Sequence, residues 1–400
     1  MMLSSSESEK LIKWIRVELD KMDVESRKVF NGIVNLNSPK QLVKILFEDL
    51  QIPPLKMTKK GNNFAIDNAV IEELSIKYSN NPKISKILDL ILRCRAYTKG
   101  MAMVSSYIVS AGKECIIHPH INTNKAQTGR ESSENPNMQN ISKDISLRTK
   151  YPIPARRCFR ARPGHVLYFA DYAGIEMRLI VELTGEPELM ALVKNNGDPH
   201  GLAASIFYGD AYNNIQDKVQ KKAKRSAAKN SQFALAYGAN LPKIAATLGL
   251  TVEEATPGYN AYCKRFPFIA GFMPKLRHTA KVDGCVITSF GRKLYIRQDH
   301  LMSGANYIIQ GTAAGIIKRA QIACHNILRN YFPDIHILIP IHDEIIFEVP
   351  RSRLPEQQKF IIMLTNAMTY MPEIEVPLDV EWKMSTLLWN QAKEIKVKFS

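Results

Sequence analysis

One stretch of the sequence places two kinds of side chain at regular intervals. Residues 224–238 read KRSAAKNSQFALAYG, in which Arg225, Lys229, Phe233 and Tyr237 follow one another every four residues. This spacing puts them on one face of an α-helix, with two cations followed by two aromatic rings. Such a face suits a ligand with a polyanionic end and a planar end, as in a nucleoside triphosphate. The alternative is an amphipathic helix whose Phe and Tyr pack in the core.

Carboxylates stand at the ends of apolar runs that are typical of buried strands. Asp171 lies near the end of HVLYFADY, and Asp343, followed by Glu344, lies between two apolar runs in IHILIPIHDEIIFEVP. Lone acids at strand ends are commonly turn formers. If these strands are neighbours, however, the acids converge and repel one another unless a divalent cation lies between them. Mg²⁺ favours such a site, which phosphate oxygens and water complete.

The chain is basic and otherwise has a globular composition. Its 400 residues include 54 Lys and Arg against 38 Asp and Glu, which gives a net charge of +16. This charge suits a polyphosphate partner such as nucleic acid, although a basic protein without such a partner has the same charge. The six cysteines have no zinc-site spacing, and no apolar run is long enough for a membrane span. We therefore expect a cytoplasmic protein with no membrane partner.

The elements that must position these residues are predicted to be helices in the first part of the chain and both helices and strands in the rest. Residues 1–110 have helical periodicity, which a Pro- and Gly-containing loop interrupts. Beyond Gly164 a buried strand is followed by a helix that ends at Gly185. Residues 186–300 are mostly helical, with a turn at 282–299. A long helix, a hairpin, a further helix and a last strand complete an α+β order.

Six stretches resemble, in order, the polymerase domain of family A DNA polymerases, the DNA polymerase I type. DYAGIEMRL resembles that family's motif A, RSAAKNSQFALAYG its motif B and HDEIIFEVP its motif C. The other three stretches are TGRESSENPNMQNI, TSFGRKLYI and QGTAAGIIKRA. The resemblance implies a right-hand polymerase fold, with a thumb at 1–115, a palm at 116–185 and 300–400, and fingers at 186–299.

The resemblance also implies an activity and its cofactor. The activity is template-directed addition of dNTPs to a primer 3′-hydroxyl by two-metal-ion nucleotidyl transfer. By similarity, Asp171, Asp343 and the backbone carbonyl of Tyr172 would hold two Mg²⁺ ions, for which Mn²⁺ is a substitute. Glu344 would support this site.

The incoming nucleotide would contact the helix quoted first. By similarity, Arg225, Lys229 and His200 would bind the triphosphate, and Lys229 would also donate a proton to pyrophosphate. Phe233 would pack against the sugar and Tyr237 would stack near the templating base. We expect the phenylalanine to make the enzyme reject dideoxynucleotides.

The remaining carried-over residues concern sugar choice and the DNA. Glu176 matches a steric gate that leaves no room for a ribose 2′-hydroxyl, which argues for deoxynucleotides. The basic loop KMTKKGNN is either a solvated loop or one that contacts duplex phosphates. The residues expected to contact the primer–template are Arg130, Asn140, Gln310, His342, Lys59 and Lys60.

The sequence departs from the family pattern in ways that leave alternatives open. Ala173 and Gly174 replace a polar pair after motif A's tyrosine, which is expected to remove a contact and loosen the site. We expect no proofreading domain, so a separately encoded exonuclease or processivity factor, in a bacterial or phage-infected cell, is a candidate partner. The rival functions are a single-subunit RNA polymerase-like enzyme, a non-catalytic DNA-binding subunit with a polymerase fold, and a two-metal nuclease.

Overall fold

The structure is a computed structural model that describes residues 1–58, 61, 63–141 and 151–397. Its internal contacts divide the chain into two units. The first comprises Met1–His120, Ser133–Leu167 and Ser385–Lys393, and the second comprises Ile121–Ser132, Tyr168–Met384 and Glu394–Ser400. The thumb, palm and fingers division stays a prediction. Lys59 and Lys60, expected to contact DNA, lie outside the described residues.

The first unit is mainly helical. Its helices are α1 (Ser5–Phe30), α2 (Pro39–Val43), α3 (Asn68–Lys77) and α4 (Pro82–Ala111), with a π-helical segment at Lys44–Asp49 and 3₁₀ turns at Ala155–Cys158 and Trp389–Gln391. The Ser38 side chain caps α2 by accepting from the Gln41 N–H, and Pro39 follows at the first helical position. The apolar faces of these helices form a core that includes Leu42, Leu46, Ile71 and Leu88.

The second unit contains the remaining α-helices of the described residues. They are α5 (Ile175–Thr184), α6 (Pro187–Lys194), α7 (Pro199–Tyr208), α8 (Asp210–Asn213), α9 (Lys218–Ala236), α10 (Leu241–Leu248), α11 (Val252–Arg265), α12 (Pro267–Asp283), α13 (Gly304–Tyr331) and α14 (Gln357–Thr369). Further 3₁₀ turns span Gln298–Ser303 and Arg351–Glu356. Among the described helices, none is long and apolar enough to cross a membrane.

The strands form one larger sheet and several short pairs. They are β1 (Met2–Leu3), β2 (His120–Asn122), β3 (Ser132–Glu134), β4 (Phe159–Arg160), β5 (His165–Tyr172), β6 (Cys285–Ile287), β7 (Lys293–Tyr295), β8 (His336–Ile341), β9 (Glu344–Pro350), β10 (Val380–Ser385) and β11 (Lys393–Glu394). Within the described chain, five of them make a sheet in the order β11-β10-β5-β9-β8. The short pairs are β1 with β4, β2 with β3, and β6 with β7.

Sheet order decides whether the two predicted acids can meet. Strand β5, which carries Asp171, is the neighbour of β9, which begins directly after Asp343. Strands β8 and β9 pair antiparallel, with Ile341 opposite Glu344, so the predicted hairpin is confirmed. The α+β fold is likewise confirmed.

One predicted element needs correction. The segment 282–299, expected to be a turn, contains an antiparallel hairpin in which Cys285 pairs with Tyr295. Its two strands are only three residues long each. Runs this short give a weak period-2 signal, which explains why the sequence pattern does not reveal them.

Candidate active site

Two neighbouring strands bring the predicted acids together in the second unit. The Tyr172 N–H donates to the main-chain carbonyl of Asp343 at 3.1 Å, so the backbones beside the two aspartates are joined directly. Asp343 lies in the two-residue connection between β8 and β9. His342, the other residue of that connection, is exposed and has a positive φ of 56°, which lets the chain reverse tightly.

The carboxylate of Asp343 lies among other charges. Burial raises the pKa of Asp343 to about 6; Arg130 opposes this rise, while the negative charges of Glu176 and Asp171 add to it. An Arg130 Nη2 atom lies 3.9 Å from Asp343 Oδ1. Asp171 and Glu176 therefore each lie close enough to Asp343 to disfavour its charge.

This donor set fits a hard divalent cation. No group of three described His, Cys, Asp or Glu side chains is arranged to hold a metal ion by itself. Mg²⁺ does not require such a cage, because one or two carboxylates suffice when substrate phosphates and water supply the other oxygens. The half-buried, mutually repelling pair of Asp171 and Asp343 fits that description.

The residues flanking the acids are firmly anchored. Tyr172 is buried, and its hydroxyl donates to the carbonyl of Met368 at 2.6 Å. Burial raises the pKa of this tyrosine, so the hydroxyl stays protonated and keeps the bond. Glu344 is also buried and begins β9. Strand β5 is thus tied to the end of α14, which limits movement of the adjacent Asp171.

The departure from motif A does not leave the backbone loose. The Ala173 N–H donates to the carbonyl of Asp379 at 2.9 Å, and the Arg178 Nε donates to the Ala173 carbonyl at 3.0 Å. Gly174 then adopts a left-handed conformation with φ 61° and starts α5, which carries Glu176. Both polar groups of the Ala173 main chain are therefore bonded, and the effect of the lost polar side chain on the site stays a prediction.

Helix α9 presents the four residues of the opening motif on a half-buried face. Arg225, Lys229, Phe233 and Tyr237 are all partly exposed. The buried side of the helix is instead formed by Ala228, Ser231, Gln232, Leu235 and Ala236. Phe233 and Tyr237 are thus not among the fully buried core residues, which favours the ligand-facing interpretation over a core-packed Phe and Tyr. The positive φ of Gly238, 83°, ends the helix sharply.

The first cation of that face already has a protein partner. Arg225 donates from Nε and Nη2 to the two carboxylate oxygens of Asp198, both at 2.7 Å. Asp198 also caps α7 by accepting from the His200 N–H at 3.1 Å. Burial raises the pKa of Asp198, but hydrogen bonds from Arg225 and nearby backbone N–H groups outweigh burial and lower it overall.

His200 is fixed by a buried polar network. Gln232 Nε2 donates to the carbonyl of Pro199 at 3.3 Å and to the Tyr262 hydroxyl at 3.1 Å. Because a carbonyl can only accept, this orients Gln232 Oε1 toward His200, and His200 Nδ1 donates to it at 2.7 Å. Burial lowers the pKa of His200, and the positive charges of Lys229 and Arg225 lower it further. The imidazole is therefore neutral near pH 7, with Nδ1 protonated.

In the middle of the α9 face, the Phe233 ring lies near both His200 and the Lys229 ammonium group. The Phe233 ring lies edge-on to His200, with centroids 5.9 Å apart. The Lys229 Nζ lies 5.8 Å from the Phe233 ring centroid. A polyanion at Arg225 and His200 would thus have the Lys229 ammonium nearby and an aromatic surface beyond it.

The end of α9 connects to the acids. Burial raises the pKa of Tyr237 to about 12; Glu176 raises it further and Arg130 opposes the rise. Glu176 and Arg130 therefore interact both with Tyr237 and with Asp343. The aromatic end of the helix and the strand-borne acids belong to one charged cluster.

A cavity connects motif A with the cationic end of α9. Its volume is about 370 Å³, and it is lined by Ala173, Arg178, His200, Arg225 and Asp379 among others. Arg225 and His200 therefore line the same open cleft as the backbone that follows Asp171.

Several other predicted residues have local partners. Gln310, on α13, donates from Nε2 to the Asn306 Oδ1 at 2.6 Å. Asn140 lies in the first unit, where it is exposed and its N–H donates to Asn137 Oδ1 at 3.2 Å. Contact with DNA stays a prediction for both Gln310 and Asn140.

The sequence reasoning missed two residues that position the site, Asp198 and Gln232. Asp198 precedes Pro199 at the start of α7, and an acid before proline is a readable N-cap signal. This N-cap signal does not indicate that the Asp198 carboxylate also binds Arg225. Gln232 is a lone glutamine on the buried side of α9, and its sequence context gives no sign of its three partners.

Sequence similarity to known proteins identifies the family of this chain. The sequence profile described as DNA polymerase family A matches residues 5–391. The chain belongs to DNA polymerase family A. Its relatives include DNA polymerase I of Caldicellulosiruptor bescii, which is 30% identical over 400 residues. DNA polymerase I of Pseudomonas aeruginosa is 32% identical over 375 residues.

The family relationship also holds at the level of structure. The solved structure of the POL domain of Pol1 from M. smegmatis, in complex with DNA primer-template and dNTP, superposes with a TM-score of 0.83 at 26% identity. That comparison covers 98% of this chain and 68% of the other. The matches to the two curated relatives cover 95% and 90% of this chain but only 44% and 38% of theirs. The chain therefore spans less than half the length of these family A enzymes.

Proposed function

We propose that this chain is a template-directed DNA polymerase that adds dNTPs to a primer 3′-hydroxyl. The observation that carries the proposal is the adjacency of β5 and β9, whose backbones are joined beside Asp171 and Asp343, with Arg130 3.9 Å from Asp343 and the α9 face in the same unit. The cations at the start of the α9 face suit the phosphates of a nucleotide, and the aromatic rings at its end suit the planar base. The paired acids lie where the phosphates would react. The family A relatives named DNA polymerase I support the same activity.

The acids would hold the metal ions. Asp171, Asp343 and the Tyr172 carbonyl would bind two Mg²⁺ ions, or Mn²⁺ in their place, with Glu344 beside them. When bound, such ions neutralise phosphate charge and make a hydroxyl a better nucleophile. The anchoring of Tyr172 and of the Ala173 main chain supports this role, because metal ligands must be held in place.

The α9 face would bind and orient the nucleotide. Arg225 and His200 would contact the triphosphate, Phe233 the sugar, and Tyr237 the region of the templating base. In the reaction the primer 3′-hydroxyl loses its proton to solvent as O3′ forms a bond to the α-phosphorus, and the bond from that phosphorus to the bridging oxygen of pyrophosphate breaks. Lys229 would donate a proton to the departing pyrophosphate, and binding and orientation supply most of the rate gain.

The DNA would be held through residues outside the acid pair. Arg130 lies within the charged cluster, 3.9 Å from Asp343, and would contact the primer end. By similarity, Gln310 and His342 would contact the primer–template near the same end, and Asn140, in the first unit, is also expected to contact the primer–template. The M. smegmatis neighbour was solved with DNA primer-template and dNTP, which supports both partners here.

A primer-extension assay tests the proposal. Asp171→Asn and Asp343→Asn keep the side-chain size but remove the charge, and each should lower kcat by about 10³-fold or more. Asp299→Asn, at an exposed acid of the same unit that is paired with Arg297, serves as the matched control and should extend like wild type. The proposal also requires Mg²⁺ dependence in the wild-type enzyme.

The same assay separates the rival functions. A wild-type chain that binds the primer–template yet never extends it is a non-catalytic DNA-binding subunit. Equal use of rNTPs and dNTPs indicates an RNA polymerase, and shortening of the primer without growth indicates a nuclease. Each of these three results overturns the proposal.

A further inference from the structure

The ion pair between Arg225 and Asp198 leaves part of the arginine available. The carboxylate of Asp198 takes Nε–H and one Nη2–H, both at 2.7 Å, so it binds one side of the planar guanidinium. Arg has five N–H donors in a rigid fork. The edge formed by Nη1 and Nη2 therefore faces away from Asp198, and such an edge can make two parallel hydrogen bonds to a phosphate.

Asp198 is itself held in a fixed place. Its Oδ1 accepts from the His200 N–H at 3.1 Å, which ties the carboxylate to the first turn of α7. Gly201 makes room for the other oxygen, because a Cβ added there would lie only 2.6 Å from Asp198 Oδ2. One carboxylate thus connects the two groups, Arg225 and His200, that line the same cavity.

We propose that Asp198 is a positioning residue that holds the Arg225 guanidinium beside His200 with its Nη1–Nη2 edge presented to the triphosphate of the incoming nucleotide. This inference rests on the proposed polymerase function and deepens it. Without Asp198, a long and flexible arginine side chain must be ordered anew each time a nucleotide binds, which weakens binding.

Steady-state kinetics of full-length Asp198→Asn tests the inference. Asparagine keeps the helix cap and the side-chain size but removes the charge that orients Arg225. We expect the KM for dNTP to rise about tenfold, equivalent to ~1.4 kcal/mol of binding, while kcat stays within about twofold of wild type. Inhibition by added pyrophosphate should weaken in parallel, because pyrophosphate offers the same phosphate oxygens to Arg225.

Gly201→Ala provides an independent variant with both charges intact. The added methyl group meets the end of the Asp198 side chain and should displace it, while alanine is the better helix former for α7. The same rise in KM in this variant cannot be assigned to a missing charge or to a weaker helix. If Asp198→Asn fails to fold, this variant alone decides the question.

The chain contains a matched control pair. In the same unit, Arg265 also donates from Nε and Nη2 to one carboxylate, that of Glu188. The exposed fractions of these two side chains, 46% and 44%, resemble the 41% and 48% of Arg225 and Asp198. Glu188→Gln should leave KM unchanged.

The outcomes are distinct. If both Asp198→Asn and Gly201→Ala match Glu188→Gln in KM, Asp198 positions nothing. If KM falls instead, Asp198 competes with the triphosphate for Arg225, and the inference is again overturned. A wild-type enzyme that fails to extend any primer contradicts the proposed function itself, and this appears before any variant is compared.

Discussion

At the scale of single residues, the site is defined by charges that alter one another. The negative charges of Asp171 and Glu176 raise the pKa of Asp343, and the Arg130 guanidinium lies 3.9 Å from the Asp343 carboxylate. Glu176 also interacts with Tyr237, at the end of α9. We propose that the Glu176 side chain limits which sugar fits.

Glu176→Ala should therefore relax sugar selection. Removing the side chain opens space for a ribose 2′-hydroxyl, and the ratio of ribonucleotide to deoxynucleotide incorporation should rise by about 10²-fold. Single-nucleotide kcat/KM values for a matched dNTP and rNTP measure this ratio. Glu188→Ala, which removes an acid of the same size elsewhere in the unit, is the control, and an equal ratio in all three proteins would refute the steric role.

At the scale of elements, α9 is oriented by its buried side. Ala228, Leu235 and Ala236 supply small or apolar surface, while Gln232 links the helix to α7 and α11 through His200, Pro199 and Tyr262. A buried network of this kind fixes helix rotation, because only one orientation satisfies every donor and acceptor. The half-buried face with Arg225 and Phe233 follows from that orientation.

Gln232→Leu should destabilise the fold at this junction. The change leaves the His200 Nδ1–H, the Tyr262 hydroxyl and the Pro199 carbonyl without this partner, and we expect a loss of ~1–3 kcal/mol in the free energy of unfolding. Chemical denaturation monitored by circular dichroism measures it. Gln220→Leu, on an exposed position of the same helix, should change stability by less than ~0.5 kcal/mol. Equal effects from the two substitutions would contradict a structural role for the Gln232 network.

At the scale of the whole molecule, the net charge of +16 predicts how binding to DNA depends on salt. Each phosphate neutralised by Lys or Arg releases condensed counterions, so affinity falls steeply as salt rises. Many of the cations are ion-paired on the surface, such as Lys10 with Glu7 and Lys21 with Glu18. The slope should therefore report the cations that bind DNA phosphates.

Binding to a primer–template should weaken by roughly 10³–10⁵-fold between about 50 and 200 mM salt if six to ten phosphates are contacted. Replacing both Lys59 and Lys60 by Ala should reduce the slope of log affinity against log salt by about 1 for each phosphate that is no longer neutralised. Fluorescence anisotropy gives both slopes. The double Ala variant at Lys10 and Lys21 is the charge-matched control, and an identical slope in the two double variants would exclude the loop as a DNA-binding segment.

The sequence alone determined the local elements and the kinds of chemistry. The strand HVLYFADY is β5 from His165 to Tyr172, the helix after it ends at Gly185, and the hairpin surrounds Asp343 as expected. These features follow from short-range periodicity and from Gly and Pro, which act within a few residues. The α9 motif and the paired acids likewise indicated a nucleotide and a divalent cation from residue type and spacing.

Only the tertiary structure decided which residues meet. The adjacency of β5 and β9, the hydrogen bond from the Ala173 N–H to Asp379, and the binding of Arg225 by Asp198 all join positions that are far apart in the sequence. The three-residue strands β6 and β7 were missed for a related reason, since their pairing comes from each other and not from a local pattern. The type of each local element and the chemistry of its side chains depend on neighbouring residues. Contacts across the fold depend instead on packing that satisfies many buried groups at once.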